Sequence, residues 1–144
     1  MSGTKSPRRR AREFVIQGLY QHLVGNQDSA AIEAQAAGVP GFDKGDTELY
    51  KVLLHGALED EAALRDLLAP HIDRKWEEVS PIERSILLLG ACELKHHVET
   101  PYRVVINEAI ELAKTFGGTD GHKFVNGVLD KLAPSLRPTE AAGR

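Results

Sequence analysis

The sequence predicts an all-α fold, a compact bundle of about six or seven helices forming one domain over residues 1–144. Three observations predict it. Apolar residues recur at every third or fourth position along most of the chain, and no window keeps the strict alternation of a half-buried strand. Pairs that favour a helix start, Ser6-Pro7, Ser80-Pro81 and Thr100-Pro101, stand directly ahead of three of these stripes. Hydrophobic residues make up 42% of the chain and charged residues 27%, which supplies a core and argues against global disorder.

The first helix is expected over about residues 7–24. Ser6 is its N-cap, Pro7 fits its first turn, and Val15, Ile16, Leu19, Tyr20 and Leu23 form its stripe. Gly25-Asn26 ends it, and Asp28 caps a short Ala-rich helix reaching about Ala37. After the loop Gly38-Val39-Pro40-Gly41, a long helical pattern runs from Thr47 to Leu68 and is stopped by Pro70. Trp76-Glu77-Glu78-Val79 reads as a connector. Ser80, Pro81 and Glu83 then form a capping box ahead of a helix to about His96. That helix is apolar nearly all round, as a central helix must be. Thr100-Pro101 opens the next, with Val105, Ala109, Leu112 and Phe116 along its stripe, and Gly117-Gly118 closes it. Asp120 caps the last helix, in which Phe124, Val125, Val128, Leu129 and Leu132 lead up to Pro134. Residues 135–144 are expected to be a short flexible tail.

The net charge of −3 conceals a division of the chain. Residues 1–12 hold Lys5, Arg8, Arg9, Arg10 and Arg12 and no acid, whereas the remaining 13 Lys and Arg face 21 Asp and Glu. A basic arm leading into the first helix can attract phosphates, while the acidic body repels nonspecific nucleic acid and offers a surface to a basic partner. Arginine forks phosphate and stacks on bases, so a polyanion binder fits this arm better than a solubilising tail or an amphipathic membrane anchor. Four arm cations on the phosphates of a single strand would give a slope of log K against log salt of roughly −3. No stretch approaches the roughly 18 apolar residues of a membrane span, and the basic start lacks the apolar segment of a secretory signal. The single cysteine, Cys92, cannot form an internal disulfide, which fits a cytoplasmic protein.

Catalytic chemistry finds no constellation. Glu93 and His96 make a Glu-x-x-His pair, but a di-iron bundle needs a second copy and two further glutamates. Gly117, Gly118 and Gly121 lack the preceding strand and the spacing of a phosphate loop. Cys92 lies in the most apolar helix and reads as a buried structural thiol. No cofactor or metal is implied. Single-strand binding needs cations together with exposed rings, and Tyr20, Phe116 and Phe124 are the candidate rings. Core packing is the competing reading for all three, least so for Phe116 beside the Gly-Gly turn.

At this level the residues match a known pattern. Arg8-Arg9-Arg10-Ala11-Arg12-Glu13 followed by Gly18-Leu19-Tyr20, then Pro101-Tyr102, Val105-Ile106-Asn107-Glu108-Ala109-Ile110-Glu111-Leu112-Ala113-Lys114 and Phe116-Gly117, resemble the NusB family of transcription antitermination factors. His122-Lys123-Phe124-Val125-Asn126-Gly127-Val128-Leu129-Asp130-Lys131 continues the resemblance in the same order. It covers both ends and the Glu83 helix, and is weak between about residues 25 and 75.

The resemblance implies two three-helix subdomains and a non-catalytic protein. It further implies binding to the boxA element of nascent ribosomal RNA as a heterodimer with NusE, a small-subunit ribosomal protein. That pair belongs to the RNA polymerase antitermination complex. Carried over by position, Arg8, Arg9, Arg10 and Arg12 would contact RNA, and Tyr20, Phe116, Asp120, Lys123 and Phe124 would lie at the RNA surface. Glu77, Glu78 and Glu83 would face NusE. Asp120 and Glu83 read equally well as helix caps. The competing enzyme reading is a methyltransferase carrying such a domain, but an all-helical chain of this length leaves no room for an α/β nucleotide-binding domain. A third reading, a protein scaffold with an inert basic tail, explains the Arg-rich helix poorly. The bundle is compatible with a monomer or a homodimer.

Overall fold

The computed structural model describes residues 5–142. Among them the chain forms eight α-helices and no strand: α1 Pro7–Gly25, α2 Ser29–Ala37, α3 Thr47–Glu59, α4 Glu61–Leu68, α5 Pro81–His96, α6 Tyr102–Phe116, α7 Gly121–Leu136 and α8 Pro138–Ala142. Short 3-10 turns at Phe42–Lys44, Ala69–His71 and Trp76–Glu78 fill the connections. Residues 1–4, the start of the basic arm, lie outside the described residues.

The all-apolar helix is the central one. Ser85 through Leu94 of α5 are buried without interruption, and α1, α3, α4, α6 and α7 all pack against it. α1, α2 and α3 form one packed group and α6 and α7 pair, and both groups rest on α5. The first group comes close because of Gly18: a Cβ there would lie 2.6 Å from Ile32 Cγ2, so the side-chain-free position lets α2 approach α1. Phe42 stands edge-on between Phe14 and Tyr50, with ring centroids 5.0 Å from each, and this pins the 38–45 loop beneath the start of α1. The Asp46 amide donates to the Pro7 carbonyl at 2.9 Å and closes the same junction.

Start signals behave largely as their chemistry requires. Ser6 accepts from the Arg9 amide, Asp28 from Ala31, and Ser80 from Glu83. Asn26 takes the left-handed conformation that ends α1. Four expectations need correction. The 47–68 pattern is two helices, broken at Asp60, whose carboxylate accepts from Lys95 at 2.7 Å and from His96 at 2.8 Å. The helix after Thr100 begins at Tyr102, with Pro101 in the cap position. α7 runs through Pro134 to Leu136, because a proline in the last turn removes few helical bonds.

The fourth correction concerns the tail. Residues 135–142 are structured, with Arg137 buried and α8 packed against α7. Arg137 donates to the carbonyls of Leu94 (2.8 Å), His97 (2.9 Å), Thr100 (3.0 Å) and Glu93 (3.1 Å), and also pairs with Glu140. A guanidinium thus sits on the carbonyl end of α5, where the helix dipole favours a cation. Glu140 in turn accepts from the Tyr102 amide at 3.0 Å, covering the start of α6. Cys92 is fully buried, and burial pushes its thiol pKa up to about 12, as a structural thiol should behave.

Candidate nucleic-acid interface

The arm cations do not share one environment. Arg8 is exposed on the first turn of α1. Arg10 is half-buried, its stem passing so close to the 41–45 loop that a Cβ on Gly45 would lie 3.2 Å from Arg10 Cβ. Arg9 reaches across to α6 and binds Glu108 through two bonds, Nε at 3.1 Å and Nη2 at 2.7 Å. Lys5 pairs with Glu13 at 2.9 Å. Arg8 and Arg10 are therefore the arm's cations left open to an outside anion.

Arg12 is not at the surface. It is 3% exposed, and Nε and Nη2 each lie 2.8 Å from an oxygen of Glu93, itself 2% exposed on α5. Burial works against the guanidinium charge, but the Glu93 hydrogen bonds and charge more than offset it and the pKa rises. This geometry argues against the expected RNA contact of Arg12: a phosphate would have to displace a buried, doubly bonded carboxylate. It also disposes of the Glu93–His96 pair as a metal half-site. Glu93 holds Arg12 while His96 holds Asp60, so the two side chains serve different partners.

Glu108 ties the arm to the rest of the interface. The Arg9 hydrogen bonds hold its carboxyl below the usual carboxylate range against the cost of burial, with Arg9, Arg12 and Arg8 charges adding to the effect. A depressed folded pKa stabilises above the unfolded value of 4.5 and is lost as pH falls through the folded value. Glu108→Gln is accordingly expected to flatten the loss of melting temperature as pH falls below about 4.5. An unchanged acid profile would show that the pair contributes nothing.

Tyr20 is 38% exposed and follows Arg9 by eleven residues, three turns, so both occupy one face of α1. Phe116 is half-buried at the end of α6, packed against the core. Asp120 occupies the position before α7, but its side chain makes no capping bond; it pairs instead with Lys123 at 3.5 Å, both largely exposed. The cap reading of Asp120 is thereby corrected. Phe124 is half-buried, and the Arg74 guanidinium lies 4.6 Å over its ring. Arg74 carries no sequence signal, because the connector that holds it reaches α7 only through the fold.

On the acidic side, buried Trp76 anchors the turn from which Glu77 and Glu78 project into solvent. The Glu78 carboxylate accepts from the Lys75 amide at 2.9 Å. Glu83 forms half of its expected capping box: its amide donates to Ser80 Oγ at 3.2 Å, but its carboxylate does not return to the Ser80 amide. It lies instead against Gly121, 2.9 Å from where a Cβ would be. A carboxylate at the start of α7 suits the positive end of that helix. It also brings the acidic surface next to Asp120 and Lys123, so the two candidate surfaces meet at one helix start.

Fold and site together define a class: a helical binding protein with an arginine-bearing helix start, partly exposed rings and an adjoining acidic rim, and no metal-holding cluster of His, Cys, Asp or Glu among its described residues. Residues 9–134 match the NusB family. Transcription antitermination protein NusB of Burkholderia cenocepacia (strain HI2424) is 57% identical over 97% of both chains, and that of Burkholderia vietnamiensis (strain G4 / LMG 22486) is 55% identical over the same shares. Among solved structures, T. maritima NusB matches with a TM-score of 0.80 at 30% identity, covering 98% of this chain and all of that one. A chain from a structure of antitermination factors NusB and NusE in complex with dsRNA matches with a TM-score of 0.75. At 21% identity, over 90% of this chain and 97% of that one, that likeness speaks for the fold. The chain belongs to the NusB family, whose members are non-enzymatic transcription antitermination proteins.

Proposed function

We propose that this protein binds the boxA element of nascent, notably ribosomal, RNA as a heterodimer with NusE, and so helps RNA polymerase resist termination in the cytoplasm. The observation that carries the proposal is the Arg9–Glu108 bridge. It fixes the start of α1, which carries the open cations Arg8 and Arg10, to α6, the helix that ends in Phe116 and leads to Lys123 and Phe124. Rings partly free of the core favour unstacked bases of a single strand. Glu77, Glu78 and Glu83 form the acidic rim for a basic partner, and no helix among the described residues is long and apolar enough to cross a membrane.

The geometry lowers the expected salt dependence. With Arg12 internal and Arg9 engaged, Arg8, Arg10 and Lys123 on phosphates give a slope of about −2 for a single strand. Fluorescence anisotropy of a boxA-type RNA against a scrambled one, with and without NusE across a salt series, tests the reading. The expected result is a preference for boxA that sharpens with NusE. The double variant Arg8→Ala, Arg10→Ala should lose about tenfold in RNA affinity and retain NusE binding. Glu83→Lys should weaken NusE binding and also disturb RNA binding, because its side chain faces Gly121 at the start of α7. Equal binding to both RNAs in every condition overturns the proposal.

A further inference from the structure

Along α7 a shallow, open hollow lies beside Phe124. Lys123, Phe124, Gly127, Val128 and Lys131 of α7 line it, with His71 and Asp73 from the preceding connection. Lys123, Gly127 and Lys131 follow one another at four-residue intervals and so share one face of the helix. Gly127 sits in the middle of α7, where glycine weakens a helix relative to alanine. Nothing in the fold requires it. Its φ is not positive, and a Cβ there would meet no atom within 4 Å, unlike Gly121 against Glu83. The effect of the missing side chain is to leave open space in the hollow at this position.

The charges are arranged to match. Asp73 is bound by Arg74 at 3.0 Å and Asp120 by Lys123 at 3.5 Å, so both nearby carboxylates already have a cation. Lys131 is exposed and hydrogen-bonds to no carboxylate among the described residues, although its charge reaches Asp73. Arg74 meanwhile holds its guanidinium over the Phe124 ring, a planar stacking partner already in place beside the hollow.

We infer that this groove seats a nucleotide of the bound RNA strand: a base stacks on the Arg74 guanidinium that covers the Phe124 ring, and the backbone crosses Gly127 with a phosphate on Lys131. The inference rests on the RNA-binding reading and adds Arg74, Gly127 and Lys131 to it. The test uses the full chain with NusE and a boxA-type RNA. Gly127→Gln places a longer, better helix former in open space, so it should raise the melting temperature while weakening RNA binding about tenfold. Lys131→Gln should weaken binding about fivefold and reduce the magnitude of the salt slope by about 0.7, one phosphate. Both should bind NusE as the parent chain does. A variant that is more stable yet binds RNA less well is not what a structural role produces. Parental RNA affinity and salt slope in both variants overturn the groove and leave the RNA reading standing. Lost NusE affinity with RNA affinity intact assigns the groove to the protein partner instead, and absence of RNA binding by the parent chain overturns both.

Discussion

Arg12→Ala is expected to destabilise the fold by about 3–5 kcal/mol, because it leaves the Glu93 carboxylate buried without its cation. For a domain of this size that lowers the melting temperature by roughly 10–20 °C. Residual folded protein should bind RNA with near-parental affinity once the folded fraction is allowed for. The paired change Arg12→Met, Glu93→Met separates the origin of the effect. Two apolar side chains of similar length remove both charges, and a buried pair replaced in this way is commonly neutral or better. The double variant should therefore recover most of the loss. Thermal unfolding followed by circular dichroism reads all three proteins. A small effect of Arg12→Ala on stability with a large effect on RNA binding would return Arg12 to the interface.

This result bears on how an arginine-rich arm is dissected. Substituting Arg8, Arg9 and Arg12 together would remove one open cation, one bridge to α6 and one core ion pair. Weakened RNA binding would then report unfolding as much as lost contacts. Arg8 and Arg10 are the substitutions that probe the surface, since neither holds a carboxylate among the described residues.

The burial of Arg12 was in fact legible, and the arm's uniform composition hid it. Arg12 precedes Ile16 and Leu19 by one and two turns, so the helical period places it on the buried stripe. Glu93 is the matching oddity, an acid within the buried run of α5. Opposite charges on two buried faces are a sequence-level signal of an internal pair. Other features had no such signal. The break at Asp60 contains neither glycine nor proline and depends on Lys95 and His96, which arrive from α5. The same holds for Arg74 on Phe124, and for Glu83 turning from its own helix cap toward Gly121. Capping, periodicity and the apolar central helix are local properties of the chain, whereas these contacts exist only once distant segments meet.

Arg137→Ala is expected to cost about 3 kcal/mol or more, and removal of residues 137–144 at least as much. The carbonyls of Leu94 and Thr100 accept from Arg137 and from no other described group, and both residues are buried. Leaving each such acceptor without a donor costs about 1–3 kcal/mol. Glu140 adds a second link, because its carboxylate serves both Arg137 and the Tyr102 amide, which together hold its pKa below the usual range. The loss should be local before it is global. Hydrogen exchange should quicken first at the end of α5 and the start of α6, the two helix ends that this segment joins. Arg137→Lys should recover only part of the stability, since an ammonium cannot span carbonyls on both sides of the 97–101 turn as the planar fork does. Unchanged melting for the truncated chain would make the segment an appendage. A large loss would make it the clasp that sets α6, and with it Glu108 and the arginine-bearing start of α1, in register.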